Sequence, residues 1–157
     1  KILVTGPYNA GKSAVVHALS TKGAAVDRLG TTVALDQGNI DHKDFSVDIL
    51  GTPGQERFDP LLKMLGEEAM GLFLVVDSTK PEELHRAKTM LEVTLAHGLP
   101  FIVLANKQDL PDALSPEEIR ERMKIGKEVK ILPTVATQEK GVIEAFETLI
   151  DMVTSTE

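Results

Sequence analysis

A β-prone run, Lys1-Ile-Leu-Val-Thr5, leads directly into Gly6-x-x-x-x-Gly11-Lys12-Ser13, and helical periodicity begins at Ala14. Strand, glycine loop and helix in that order restrict the chain to folds in which a buried strand presents a loop to an anion. With no side chain at either glycine, backbone N–H groups over Gly6, Asn9, Ala10, Gly11, Lys12, Ser13 and Ala14 can converge on a polyphosphate. Lys12 adds a point charge for the outer phosphates. Ser13 offers a hydroxyl to a magnesium ion, and the positive end of the helix faces the same anion.

A length of 157 residues is expected to form one domain, residues 1–157, long enough to bury roughly 70% of the surface its unfolded chain exposes. The longest apolar run, Ala69 to Val76, is far too short to span a bilayer, so no membrane segment is expected in this chain. The sequence starts at Lys1 rather than Met, which leaves room for a short preceding piece, an anchor included. A net charge of −7 argues against a nucleic-acid partner, which requires a clustered basic surface. The absence of cysteine excludes disulfides and thiolate catalysis within the chain and fits a reducing, cytoplasmic setting. His17, His42, His85 and His97 have no metal-ligand spacing and read as surface or packing residues.

Strands alternate with helices, predicting an α/β fold with a six-stranded, mostly parallel sheet covered by helices on both faces. The first helix is expected over Gly11 to Thr21, followed by an irregular stretch from Lys22 to Thr32. Val33 to Leu35 and Phe45 to Leu50 read as an antiparallel hairpin turning through Gly38-Asn39-Ile-Asp41-His42, and Gly51 to Asp59 as the next loop. Gly71 to Asp77 is a continuous apolar run and therefore a central strand. Pro81 can start a helix whose buried face carries Leu84, Ala87, Leu91, Thr94 and Leu95. Phe101 to Ala105 is another buried strand, and Ser115, Pro116 and Glu118 form a capping box for a further helix. Lys130 to Pro133 is a short last strand, and Gly141 to Thr154 a final helix buried along Val142, Phe146, Leu149, Ile150 and Val153.

Loops at the C-terminal ends of parallel strands share one sheet edge, where doubly wound folds bind ligands. Asn106-Lys107-Gln108-Asp109 falls there. Asp109 can accept hydrogen bonds from the ring N–H and exocyclic amine of guanine, a donor pair that adenine lacks. Lys107 can lay its alkyl stem over the base, and Asn106 can tie this loop to the phosphate loop.

These motifs, with the Thr31-Thr32 pair, Gly51-Thr-Pro-Gly54-Gln55-Glu56-Arg57-Phe58 and Val135-Ala136-Thr137, resemble the small GTPases of the Ras superfamily over essentially the whole chain. The resemblance implies the phosphate-loop NTPase fold of Ras-like proteins, GTP and GDP as ligands and magnesium as cofactor. It places the first switch at Lys22 to Leu35 and the second at Gly51 to about Glu67. It implies that Ser13 and Thr32, or Thr31 in the other register, coordinate magnesium. Gly54 would meet the γ-phosphate, Gln55 would orient the attacking water, and Ala136 would offer its N–H to the guanine carbonyl. Effector, exchange-factor and activating proteins are the implied partners.

Several positions depart from the family pattern. Gly51 stands where an aspartate usually holds a magnesium-bound water, which weakens the cation site. Asp36 either reaches the ion in its place or is a solvated strand-end charge, and Asp48 is too far along its strand. Tyr8 replaces a usual glycine beside the γ-phosphate, so slow unaided hydrolysis is expected. Thr137 replaces a base-covering lysine, and Val135 a serine that braces the base reader. Arg28 is either a catalytic arginine in cis or a solvated loop residue. The Gly-Thr-Pro-Gly-Gln sequence is similar to that of bacterial and archaeal small GTPases. The expected function is a GTP-binding molecular switch that slowly hydrolyses GTP, the alternative being a nucleotide-dependent scaffold with negligible hydrolysis. An ATP-dependent phosphotransferase is opposed by Asp109.

Overall fold

The computed structural model describes the chain apart from residues 8, 21–23, 30–32, 43–44, 53–58, 95–97 and 155–157, and apart from the side chains of 24–29, 33–36, 42 and 45. In chain order the elements are β1 (Ile2–Thr5), α1 (Lys12–Leu19), β2 (Ala24–Leu29), β3 (Val33–His42), β4 (Phe45–Gly51), α2 (Asp59–Glu68), β5 (Gly71–Asp77), α3 (Leu84–Thr94), β6 (Phe101–Asn106), α4 (Pro116–Met123), β7 (Ile131–Pro133) and α5 (Val142–Thr154). They build one sheet of order β2-β3-β4-β1-β5-β6-β7, antiparallel at β2/β3 and β3/β4 and parallel elsewhere.

Side-chain alternation along the strands divides the interior into two cores. Ile2, Val4, Phe73, Val75, Ile102 and Leu104 face α1 and α5, where Val15, Leu19, Phe146 and Leu149 meet them. Leu3, Leu72, Leu74, Val76 and Val103 face the other way, toward Leu84, Leu91, Ile119 and Met123 of α3 and α4. All of β5 is buried, as expected for a strand covered on both faces. The Ser115–Glu118 capping box of α4 is present in both its bonds.

All six expected strands are present, and a seventh joins the outer edge. Ala24 to Leu29, read above as irregular, pairs residue by residue with β3 from Ala24↔Gly38 to Leu29↔Val33. Its sequence shows no alternation, and a neighbouring edge that satisfies its backbone groups makes it a strand. A second difference concerns Gly38-Asn39, which reads as a turn but lies within β3; that strand continues to His42, opposite Phe45. The reason is packing against α1. A Cβ on Gly38 would lie 1.8 Å from Ser20 Oγ, so glycine here lets the helix end approach the strand. Asn39 is held in register by bonds to Ser46 and Asp48 on β4, and Ile40 is buried. The first helix is also shorter than expected, ending at Leu19 with Ser20 bonded back to Val16.

Helix α2 is pinned to α3 at both ends. Arg86 makes a two-pronged ion pair with Asp59, at 2.7 and 3.1 Å, and Gly66 packs against the backbone of Thr94. Among the described residues, no helix is long and apolar enough to cross a membrane.

Phe146 is completely buried between α5 and the sheet. Phe146→Ala is expected to cost about 3–5 kcal/mol, measured as a lower urea midpoint with an unchanged denaturant slope.

Candidate functional site

Three loops meet at the C-terminal edge of the sheet. The phosphate loop follows β1, the loop over Lys107 to Asp109 follows β6, and the segment through Thr134 and Ala136 follows β7. Gly6 and Gly11 both have positive φ, 151° and 109°, and neither tolerates a side chain. A Cβ on Gly6 would lie 2.2 Å from the Val75 carbonyl oxygen, and one on Gly11 would lie 2.2 Å from Asn106 Nδ2. The loop is therefore seated against β5 and against the loop after β6. Lys12 sends its ammonium back over this loop, donating to the carbonyls of Gly6 at 2.9 Å and Pro7 at 2.8 Å. Ser13 and Ala14 occupy the first turn of α1, behind the loop.

Asn106, at the end of β6, is 2% exposed and joins all three loops. Its Nδ2 donates to the Ala10 carbonyl at 3.0 Å, while its Oδ1 accepts from Thr134 Oγ1 and from the Ala136 N–H, each at 3.0 Å. The expected tie between base loop and phosphate loop is thus present. The Ala136 N–H, expected to face a guanine carbonyl, is donated to Asn106 here.

The rest of the loop is anchored to the end of β5. Lys107 donates to Asp77 Oδ2 and to the Asn9 carbonyl, both at 2.9 Å. Gln108 donates to Ser78 Oγ at 2.9 Å and to the Leu114 carbonyl at 2.8 Å. Asp109 follows these three anchored residues. It is exposed, with no hydrogen bond or ion pair to the described residues.

Thr32, Gly54, Gln55, Tyr8 and Thr31 lie outside the described residues, as do the side chains of Arg28 and Asp36. Backbone register carries β3 past Asp36, with Gln37 opposite Leu50 and Gly51 closing β4 beside Val4. Just beyond Gly51, Thr52 is buried and donates to Thr5 Oγ1 at 2.8 Å, tying the start of the stretch that the resemblance assigns to the second switch to the strand that feeds the glycine loop. No cluster of three metal-ligating side chains occurs among the described residues.

Asp77, Ser78 and Thr134 were not singled out by sequence. Asp77 reads only as a strand end, and its partner is 30 residues away. Burial pushes the Asp77 carboxyl up, but hydrogen bonds from Thr79 and Lys107, with the Lys107 charge, outweigh it and hold the carboxyl below its ordinary value.

A buried strand feeding a glycine loop, with an asparagine tying that loop to the next two, is the arrangement of a nucleotide-binding α/β protein. Among solved structures, the Arl6 BBS3 small GTPase from Trypanosoma brucei with bound nucleotide analogue GppNp shares the fold. Its TM-score is 0.81 and its identity 18%, over 99% of this chain and 98% of that one. ADP-ribosylation factor-related protein 1 of Rattus norvegicus is 31% identical over 168 residues, covering 97% of this chain and 84% of the relative. The Homo sapiens protein of the same name matches with the same identity and coverage. The family model for the ADP-ribosylation factor family matches residues 1–153. The fold is that of a Ras-like small GTPase, as the sequence motifs imply. Within that class, the chain belongs to the ADP-ribosylation factor family.

Asn106→Ala would strip partners from Ala10, Thr134 and Ala136 at once, and is expected to destabilise the fold by about 2–4 kcal/mol in chemical denaturation. The depressed Asp77 value has a defined sign. Its stabilising contribution is complete above the unfolded carboxylate value, about 3.9, and is lost as pH falls through the lower folded value. Asp77→Asn should therefore flatten the acid-side fall in stability, measured by urea denaturation at stepped pH.

Proposed function

We propose that residues 1–157 act as one domain, a cytoplasmic molecular switch that binds GTP or GDP with magnesium and slowly hydrolyses GTP to GDP and phosphate. The observation that carries this reading is the Asn106 junction, which brings the phosphate loop beside a base loop whose exposed Asp109 carboxylate has no partner among the described residues. A free carboxylate on that edge matches the ring N–H and exocyclic amine of guanine, and would leave adenine's acceptors opposed to an acceptor.

In this reading, N–H groups of Gly6, Asn9, Ala10, Gly11 and Ala14 hold phosphate oxygens. Those oxygens displace the Gly6 and Pro7 carbonyls as partners of Lys12, whose charge then opposes the charge developing on the transferred group. Ser13 and Thr32 would hold magnesium. The fit on the described side is chemical: a serine hydroxyl is a hard oxygen donor, and it sits in the first turn of α1 immediately after Lys12. The ion would neutralise phosphate charge, with one carboxylate fewer around it because of Gly51. Gly54 senses the γ-phosphate and Gln55 orients water. Lys107 lays its stem along the base, and the guanine carbonyl competes with Asn106 for the Ala136 N–H. Effector, exchange-factor and activating proteins complete the cycle.

Chromatography of nucleotide released from denatured, freshly purified protein is expected to show guanine nucleotide, GDP predominating. Asp109→Ala should weaken GDP binding by about 100-fold or more while leaving the chain folded. An adenine nucleotide, or an undiminished guanine preference in Asp109→Ala, would overturn the reading. Intact GTP persisting for hours in magnesium would replace the switch by the nucleotide-dependent scaffold.

A further inference from the structure

We propose that Asp77 is a positioning residue for nucleotide retention: its carboxylate holds Lys107 across the phosphate loop and so sets how long a guanine nucleotide stays bound. This inference rests on the guanine-nucleotide reading above and adds to it a residue that itself touches no ligand.

The geometry is specific. Asp77 lies at the C-terminal end of β5 and its side chain is 4% exposed. One carboxylate oxygen, Oδ1, is fixed by Thr79 through its N–H at 2.9 Å and its hydroxyl at 2.6 Å. That leaves Oδ2 aimed at Lys107 Nζ, 2.9 Å away. The same ammonium donates to the Asn9 carbonyl of the phosphate loop. Asp77, Lys107 and Asn9 therefore form one continuous link between the central strand and the two loops that would hold the two ends of a nucleotide.

Backbone conformation supports the same assignment. Lys107 and Asn9 both have left-handed φ, 63° and 65°. A residue with a Cβ pays about 1–2 kcal/mol in that region and stays there only where its surroundings over-determine it. For Lys107 the surroundings are the Asp77 carboxylate and the Asn9 carbonyl at its ammonium, together with the Leu110 N–H that donates to its own carbonyl. Asn106 and Gln108 on either side are held by neutral hydrogen bonds, so among the described residues the only charge pair anchoring residues 106–108 is that of Lys107. Removing the negative charge leaves an ammonium with one carbonyl partner, frees Lys107 to leave the left-handed region, and loosens the approach to Asp109 two residues on.

In this proposal, release of a nucleotide held at both ends parts the base loop from the phosphate loop, which breaks or shifts the Lys107–Asn9 bond. The rate of release is therefore the quantity that Asp77 controls.

The test is the dissociation rate of fluorescently labelled GDP from the full chain, measured for wild type, Asp77→Asn, Lys107→Met and the double variant. Asp77→Asn is expected to speed release about tenfold, and the double variant to release no faster than Lys107→Met alone, because two residues acting through one link do not add. A merely structural role would accelerate release equally in both backgrounds, which would overturn the proposal. So would an Asp77→Asn rate within about twofold of wild type, the scatter of independent sites. If Asp77→Asn does not fold by circular dichroism, Thr79→Val replaces it. That variant removes the hydroxyl bond to Oδ1 while keeping the backbone N–H bond and the charge, so that the carboxylate is less firmly oriented, and should speed release in the wild-type background but not in Lys107→Met; no acceleration overturns the proposal. Failure of wild type to bind labelled GDP at all overturns the guanine-nucleotide reading itself, whereas binding with unaltered release rates overturns only the role of Asp77.

Discussion

The amide of Asn106 is the junction on which the ligand edge depends. Its side chain is buried and uses both its donor and its acceptor ends, on Ala10, Thr134 and Ala136. These partners belong to the segments following β1 and β7, and Asn106 itself opens the segment after β6, so a single amide sets the relative positions of three otherwise separate loops. The cost of leaving any of the three unpaired in a buried setting makes the arrangement close to all-or-none. Gly11 belongs to the same constraint. It is glycine because a Cβ would collide with the Asn106 amide, not only because a phosphate must approach.

Charge is placed around this junction with economy. The chain carries a net charge of −7, yet the cations Lys12 and Lys107 both turn their ammonium groups onto the carbonyls of the phosphate loop. Lys107 is further opposed by a buried carboxylate that two bonds from Thr79 hold in place. An ion pair of this kind, with one partner buried and the other half-buried, is weak support for stability, because desolvation of the carboxylate offsets attraction, and is better understood as fixing one geometry among several. Away from the junction, the ion pair of Arg86 with Asp59 and the contact of Gly66 with Thr94 hold α2 on α3. Asp59 to Glu67, the later part of the stretch that the resemblance assigns to the second switch, is thereby tied to α3.

Much of this was legible in the chain. The strand-loop-helix start, β5 and β6 as continuous apolar runs, the capping box at Ser115, and the buried stripe of α5 are local signals, and local signals survive folding when nothing opposes them. Asn106 is legible as the tie to the phosphate loop from its place after a buried run. Two elements were not legible. The pairing of Ala24 to Leu29 carries no pattern of its own, and Gly38-Asn39 carries the wrong one, since the contact with Ser20 that overrides it comes from a helix far back in the sequence.

By itself, the sequence determined which chemistry could assemble at the ligand edge: a glycine loop with Lys12 and Ser13, an asparagine and an aspartate at fixed spacing, and strands apolar enough to bury on both faces. These are properties of residue type and short-range order, and short-range order is written along the chain. Only the tertiary structure decided that the sheet has a seventh, edge strand, that β3 runs through its apparent turn, and that Asp77 meets Lys107. Each of those depends on which groups folding brings within bonding distance across tens of residues, where backbone and side-chain partners are chosen by packing rather than by sequence neighbours.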